Sequence, residues 1–173
     1  GSFAEIGAGQ EVARWFLRVG AASATVAKTI SAYDKEVSDD LYGGGTRYVS
    51  RGRLEAMLER EWELLLRQLG AAREAGSRLF VFADTMAARN FAGTNECHGW
   101  MGLRFQTRPG GPPHEVVLHL NLMDDVNLLQ QEAVGVLGVN LVHAAFHRRE
   151  TVEDFLAALF DDLAPGRLEL DFI

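Results

Sequence analysis

One stretch of this chain collects carboxyl, thiol and imidazole side chains. Asp84-Thr85-Met86-Ala87-Ala88-Arg89-Asn90 is followed closely by Gly93-Thr94-Asn95-Glu96-Cys97-His98-Gly99-Trp100. Asp84 and Glu96 could act as bases, Cys97 as a nucleophile and His98 as a proton carrier. Arg89 and Asn95 could hold a ligand beside them. The stretch follows Leu79 to Ala83, a continuous apolar run that reads as a strand buried on both faces. Loops at the ends of such strands often carry ligands. Neighbouring residues on a strand point to opposite faces, however, so these side chains need not form one constellation. A connection satisfied by its own turns is the structural alternative.

The second candidate is the loop Gly43-Gly44-Gly45-Thr46-Arg47-Tyr48-Val49-Ser50-Arg51-Gly52-Arg53. Arg47, Arg51 and Arg53 stand among flexible glycines beside an expected helix start, where backbone N–H groups and guanidinium forks suit a phosphate or carboxylate. The alternative is a solvated loop whose arginines pair with Asp39, Asp40 or Glu55. The third candidate is Gly7 with Gly9, in Glu5-Ile6-Gly7-Ala8-Gly9, which resembles the glycine turn of Rossmann-like methyltransferases, with Asp34 where a ribose partner could sit. Against it, Glu11 replaces the third glycine, no clear strand precedes Gly7, and segment 24–34 reads at least as well as helix. His143 and His147 share a helix face, but Ala144 stands where the metalloprotease pattern needs Glu, and no third ligand is evident. No metal site is expected, and the residues name no cofactor. His114 and His119 read as structural parts of a hairpin.

Several elements must position these groups. Gln10 to Val19 has the one-sided apolar spacing of a helix. Ser50 can cap a helix running to about Leu69, with Leu54, Met57, Leu58, Trp62, Leu65 and Leu69 as its stripe. Met101, Leu103 and Phe105 alternate with polar or small residues, as do Val116, Leu118, Leu120 and Leu122, and the turn-rich run 108–113 joins the two as a hairpin. Asp125 can cap a helix to about Phe146 that is apolar nearly all round and therefore central. Thr151 caps another, with Asp154 at the capping-box position, and Leu168, Leu170 and Phe172 alternate as a last strand. The expected fold is α+β: a mainly antiparallel or mixed sheet with a central hairpin, covered by four to five helices.

Composition narrows the partners. The 173 residues suit a single domain. The net charge of −7 argues against a general nucleic-acid binder and against adhesion to anionic membranes. The longest apolar stretch, Ala133 to Phe146, is too short to span a bilayer. The single cysteine, Cys97, permits no disulfide within the chain, and no secretory signal opens it, so a cytoplasmic setting is expected.

Four runs carry a family resemblance: residues 2–16, Ala27-Lys28-Thr29-Ile30-Ser31-Ala32-Tyr33-Asp34, Thr94-Asn95-Glu96-Cys97-His98-Gly99-Trp100-Met101-Gly102, and Leu128-Leu129-Gln130-Gln131-Glu132-Ala133. They resemble a poorly characterised bacterial family variously labelled nicotinate-nucleotide adenylyltransferase or TonB-dependent receptor. The resemblance covers nearly the whole chain and implies a bacterial cytosolic protein, of which these residues are a portion. The residues fit neither label. Adenylyltransferases of that type open with Gly-Ser-Phe-Asp-Pro and paired histidines, whereas Gly1-Ser2-Phe3 here leads to Ala4-Glu5, with no histidine before His98. An outer-membrane receptor needs a large barrel of alternating strands, at odds with this length and helix content.

Two functional expectations follow. In the first, the domain binds a phosphorylated or nucleotide-like small molecule and contributes to an enzyme, with Arg47, Arg51 and Arg53 holding the anion and Asp84, Glu96, Cys97 and His98 supplying polar or acid–base chemistry. In the second, it is a non-catalytic regulatory or self-assembly domain, a homo-oligomer packed through the glycine-bearing helix 126–146. The first requires loop 43–53 and segment 84–98 to face one cleft.

Overall fold

The computed structural model describes residues 1–73 and 76–172. It is an α+β fold built on a six-stranded mixed sheet of order β2-β1-β3-β4-β5-β6. The strands are β1 (Ser2–Gly7), β2 (Lys28–Ala32), β3 (Phe80–Ala87), β4 (His98–Gln106), β5 (Pro113–Leu122) and β6 (Leu168–Phe172). The helices are α1 (Val12–Val19), α2 (Lys35–Tyr42), α3 (Arg51–Arg73), α4 (Asn127–His147) and α5 (Val152–Leu159). β1 runs parallel to β2 and β3, and every later pairing is antiparallel. Among the described residues no helix is long and apolar enough to cross a membrane.

Alternation along the strands splits the core in two. Phe3, Phe80, Phe82, Met101, Leu103, Leu118 and Leu120 pack with α1, α4 and α5. Ala4, Ile6, Val81, Ala83 and Val117 point the other way and pack under the Leu54, Met57, Leu58, Trp62 and Leu65 stripe of α3. Ser50 caps α3 as expected, its Oγ accepting from the Arg53 N–H at 3.2 Å. Thr151 caps α5 in the same way, accepting from the Asp154 N–H at 3.0 Å.

The N-terminal third departs from expectation. A strand, β1, does precede Gly7, and 28–32 is a strand rather than helix. Glu5 hid β1, because it puts a charge at an inward position where an apolar residue would have marked the alternation. Thr29 and Ile30 suit either structure, and tertiary pairing with β1 decides for strand. Asp34 opens α2, an element not expected, by accepting from the Glu36 and Val37 N–H groups. α4 begins at Asn127 after an extended Val126, without a cap from Asp125.

α4 approaches the sheet closely because it carries Gly138. A Cβ there would lie 2.3 Å from Val12 Cγ2 and 3.0 Å from Phe82 Cζ. Gly138→Leu should therefore cost about 1–3 kcal/mol in urea unfolding, as overpacked cores do. Gly52→Ala, whose added carbon meets only Thr46 Cγ2 at 3.9 Å, should instead gain about 0.5 kcal/mol.

Candidate functional site

β1, the Gly7–Gly9 turn, α1 and β2 form a β–α–β unit, and the order β2-β1-β3 makes the gap beyond β1 and β3 a topological switch point, where open α/β sheets usually bind ligands. Here that gap is closed. Pairing runs through Gly7 and Met86, and the Ala8 N–H donates to the Met86 carbonyl at 3.1 Å. Gly7 has φ 74°, and a Cβ on it would lie 2.4 Å from that carbonyl oxygen. Two N–H groups at the α1 N-terminus, where a cofactor phosphate would be cradled, are also taken. The Glu5 carboxylate accepts from Val12 N at 2.8 Å and Ala13 N at 3.3 Å, so the chain supplies its own anion to the α1 N-terminus. Gly7 and Gly9 thus seal the sheet end, and Asp34 is spent on capping α2.

Asp84 lies beside Glu5 in the β1–β3 register and shares its face. It is fully buried, and neither oxygen has a hydrogen-bond partner of ordinary geometry among the described residues. A Cβ on Gly9 would come within 2.3 Å of its Oδ1, so only glycine fits above it. Burial, and then the Glu5 charge, push the Asp84 pKa well up, against a small opposing pull from the Ile6 N–H. Burial raises Glu5 from 4.5 to about 7, with the Val12 and Ala13 N–H groups pulling down and Glu11 adding slightly to the rise. Two buried carboxyls this close are held as a partly protonated pair.

The structure therefore separates Asp84 from Glu96 and His98. Asp84 faces α1 and α4, whereas His98 and Trp100 lie on the α3 face, with the sheet between them. Cys97 packs against the α1/α4 core, and its Sγ reaches the Asn95 carbonyl at 3.6 Å. Asn95 ties its own loop, accepting from Asn90 N at 2.8 Å and donating to the Ala88 carbonyl at 2.9 Å. The Arg89 backbone is clasped by Gln130 and Asn127 of α4, and its guanidinium sits 4.0 Å from Asp125. Arg51 pairs with Glu55. Arg53 is fully buried, bonded to the Ser38 carbonyl at 3.1 Å and Asp39 at 2.5 Å, with the Tyr48 ring beneath it. It joins α3 to α2 rather than facing solvent.

Three of the expected site residues do meet. Arg47, Glu96 and His98 line one cleft of about 610 Å³ together with Tyr48, Val49 and Ala87. Loop 43–50 is fastened there by Thr85, whose hydroxyl donates to the Tyr48 carbonyl at 2.6 Å, and by the Tyr48 hydroxyl, which donates to Asp39 at 3.0 Å. Arg47 is exposed and makes no ion pair among the described residues.

Behind His98 stands a chain of acceptors and donors. His98 Nδ1 lies 3.0 Å from His119 Nε2, and His119 Nδ1 lies 2.5 Å from Asp171 Oδ1. Asn121 donates to the other Asp171 oxygen at 3.0 Å, and the Trp100 ring packs 4.7 Å from that of His119. The hydrogen bond from His119, then that from Asn121, holds the Asp171 pKa below its ordinary value, so Asp171 is a carboxylate that can only accept. In its neutral form His119 then carries its proton on Nδ1 and accepts at Nε2. His98 in turn donates from Nδ1 and keeps a bare Nε2. Burial, then His119, lowers the His98 pKa, Glu96 opposes this, and Arg47 adds to the fall, so the ring is neutral at pH 7. The sequence left His119 as structural and passed over Asp171. Both occupy alternating strand positions, but only the β4–β5–β6 register reveals that they meet. Among the described residues no group of three or more His, Cys, Asp or Glu could hold a metal ion.

The class defined is a mixed-sheet α+β domain, helices on both faces, with a polar cleft under the β3–β4 connection. Two solved bacterial proteins share this fold. A competence or damage-inducible protein from Enterobacter asburiae superposes with a TM-score of 0.54 at 12% identity, over 83% of this chain and 85% of that one. The competence/damage inducible protein CihA from Agrobacterium tumefaciens gives 0.53 at 21% identity, over 83% and 82%. No protein-family model and no curated protein matches the chain. The likeness is one of fold, and it supports neither the adenylyltransferase nor the receptor label.

The carboxyl pair makes stability depend on pH in a defined direction. The folded chain keeps a proton on Glu5 that the unfolded chain releases above pH 4.5, so stability is complete below that pH and falls as pH rises through about 7. The expected slope is up to about 1.4 kcal/mol per pH unit for each such group. Asp84→Asn removes the second carboxyl whose pKa is raised by burial and should flatten this fall in pH-resolved urea melts. An unchanged slope would mean that the pair is not coupled. Asp39 and Asp171, with lowered pKa values, act in a separate window and lose their contribution below about pH 3.8.

Proposed function

We propose that the cleft between loop 47–49 and the β3–β4 connection binds a small phosphorylated or nucleotide-like molecule, and that His98 exchanges a proton with it. This reading makes the domain part of an enzyme that uses general acid–base chemistry. It rests above all on the bare Nε2 of His98, oriented through His119 by Asp171 and set in the same cleft as the guanidinium of Arg47, which makes no ion pair among the described residues. A base oriented by a second group and held beside an anion-binding side chain is the arrangement that proton abstraction from an anionic substrate needs. Depression of the His98 pKa keeps it in its base form at neutral pH. Glu96, exposed at the rim, balances the charge of Arg47 and disfavours binding of a second anion.

Thermal-shift and calorimetric titrations with adenosine monophosphate, ribose 5-phosphate and adenosine test this reading. The phosphorylated compounds should stabilise the chain, by about 2.7 kcal/mol when present at 100 times the dissociation constant. Adenosine should not, and Arg47→Ala should abolish the effect. The bound phosphate should also raise the His98 pKa, read from the ring protons by NMR, because it neutralises Arg47. No stabilisation by either phosphate, or equal stabilisation by adenosine, would refute the proposal.

A further inference from the structure

A second cavity lies on the opposite face of the sheet, between the end of α1 and the middle of α4. Its volume is about 390 Å³, within the range of small-molecule sites. Trp15, Phe16, Val136 and Val139 supply apolar walls, and two polar groups converge on it, Asn140 and Asp162.

The polar groups are of one kind. Asn140 donates its amide hydrogens to the Leu159 carbonyl at 3.0 Å and the Asp161 carbonyl at 2.7 Å, which fixes the amide orientation and leaves Oδ1 as a free acceptor. Asp162 has φ 58°, a left-handed conformation uncommon outside glycine, just after α5. Its carboxylate makes no ion pair or hydrogen bond among the described residues. The Trp15 N–H offers no competing donor, since it is buried against Gly135 of α4. The cavity therefore presents aromatic and aliphatic walls, two acceptors and the Asp162 carboxylate, with the Arg18 guanidinium stacked 5.3 Å from the centre of the Trp15 ring. The complementary ligand has an apolar body and a cationic donor end. The net charge of −7 favours approach of such a cation.

We propose that the α1–α4 cavity is a binding site for a small aryl- or alkyl-ammonium compound, its ring or chain between Trp15, Phe16 and the α4 valines and its ammonium group on Asp162 and Asn140. The site is independent of the His98 cleft and of any reaction there.

Titration with phenethylamine, followed by tryptophan fluorescence and by thermal shift, tests the proposal, with 3-phenylpropionate as the matched anion. Phenethylamine should bind saturably and 3-phenylpropionate should not. Asp162→Asn should weaken phenethylamine roughly fivefold, the size expected for one partly exposed ion pair. Asn tolerates the left-handed backbone of this position, so that variant should fold. Val139→Trp, at a half-buried position, should fill the cavity and abolish binding. Absence of saturable binding, equal binding of 3-phenylpropionate, or an unchanged affinity in Asp162→Asn would each overturn the assignment.

Discussion

The Glu5 carboxylate is the constraint around which this fold is arranged. It reaches from the middle of β1 to the first N–H groups of α1, so the helix is capped by the strand that it covers. An anion at a helix N-terminus is favourable, but this one is buried beside the still more buried Asp84. Neither glycine of the Gly7–Ala8–Gly9 turn could carry a side chain, because the Met86 carbonyl lies against Gly7 and the Asp84 carboxyl against Gly9. Partial protonation of the pair is what makes the arrangement tolerable.

That constraint decides where chemistry can occur. In a doubly wound sheet the switch point would ordinarily admit a ligand. In this chain the position is occupied by its own carboxylate and closed by continued strand pairing. Polar chemistry is displaced to the other face, where α3 packs on β1, β3 and β4 and leaves the β5–β6 side open. Trp100, His119, Asn121 and Asp171 fill that opening, with His98 at its edge and the arginine loop leaning over it. Arg53 takes no part in the cleft, but its buried bonds to α2 hold the base of the loop that carries Arg47.

Elements whose burial follows one simple period were legible in the sequence. The β4–β5 hairpin, the α3 stripe with its Ser50 cap, and the Thr151 cap appear where the residues put them. β1 and β2 were not legible, since Glu5 interrupts the apolar alternation in one and β-branched residues suit two structures in the other. The meeting of Arg47 with Glu96 and His98 could be posed from sequence as a spatial condition. Asp84 and Cys97 could not be sorted from them, because the face on which each residue lies depends on where the strand starts. Nor could Asp171 be found, fifty-two positions from His119, without knowing which strands are neighbours.

The Asp171 carboxylate sets the tautomer of two imidazoles and leaves one nitrogen of His98 bare. Nitrogen-15 chemical shifts of the His98 and His119 rings, measured in the labelled protein at pH 7.5, test it most directly. The structure predicts protonated Nδ1 on both rings and an unprotonated Nε2 on His98. A proton on His98 Nε2, or the averaged shifts of freely exchanging tautomers, would contradict it.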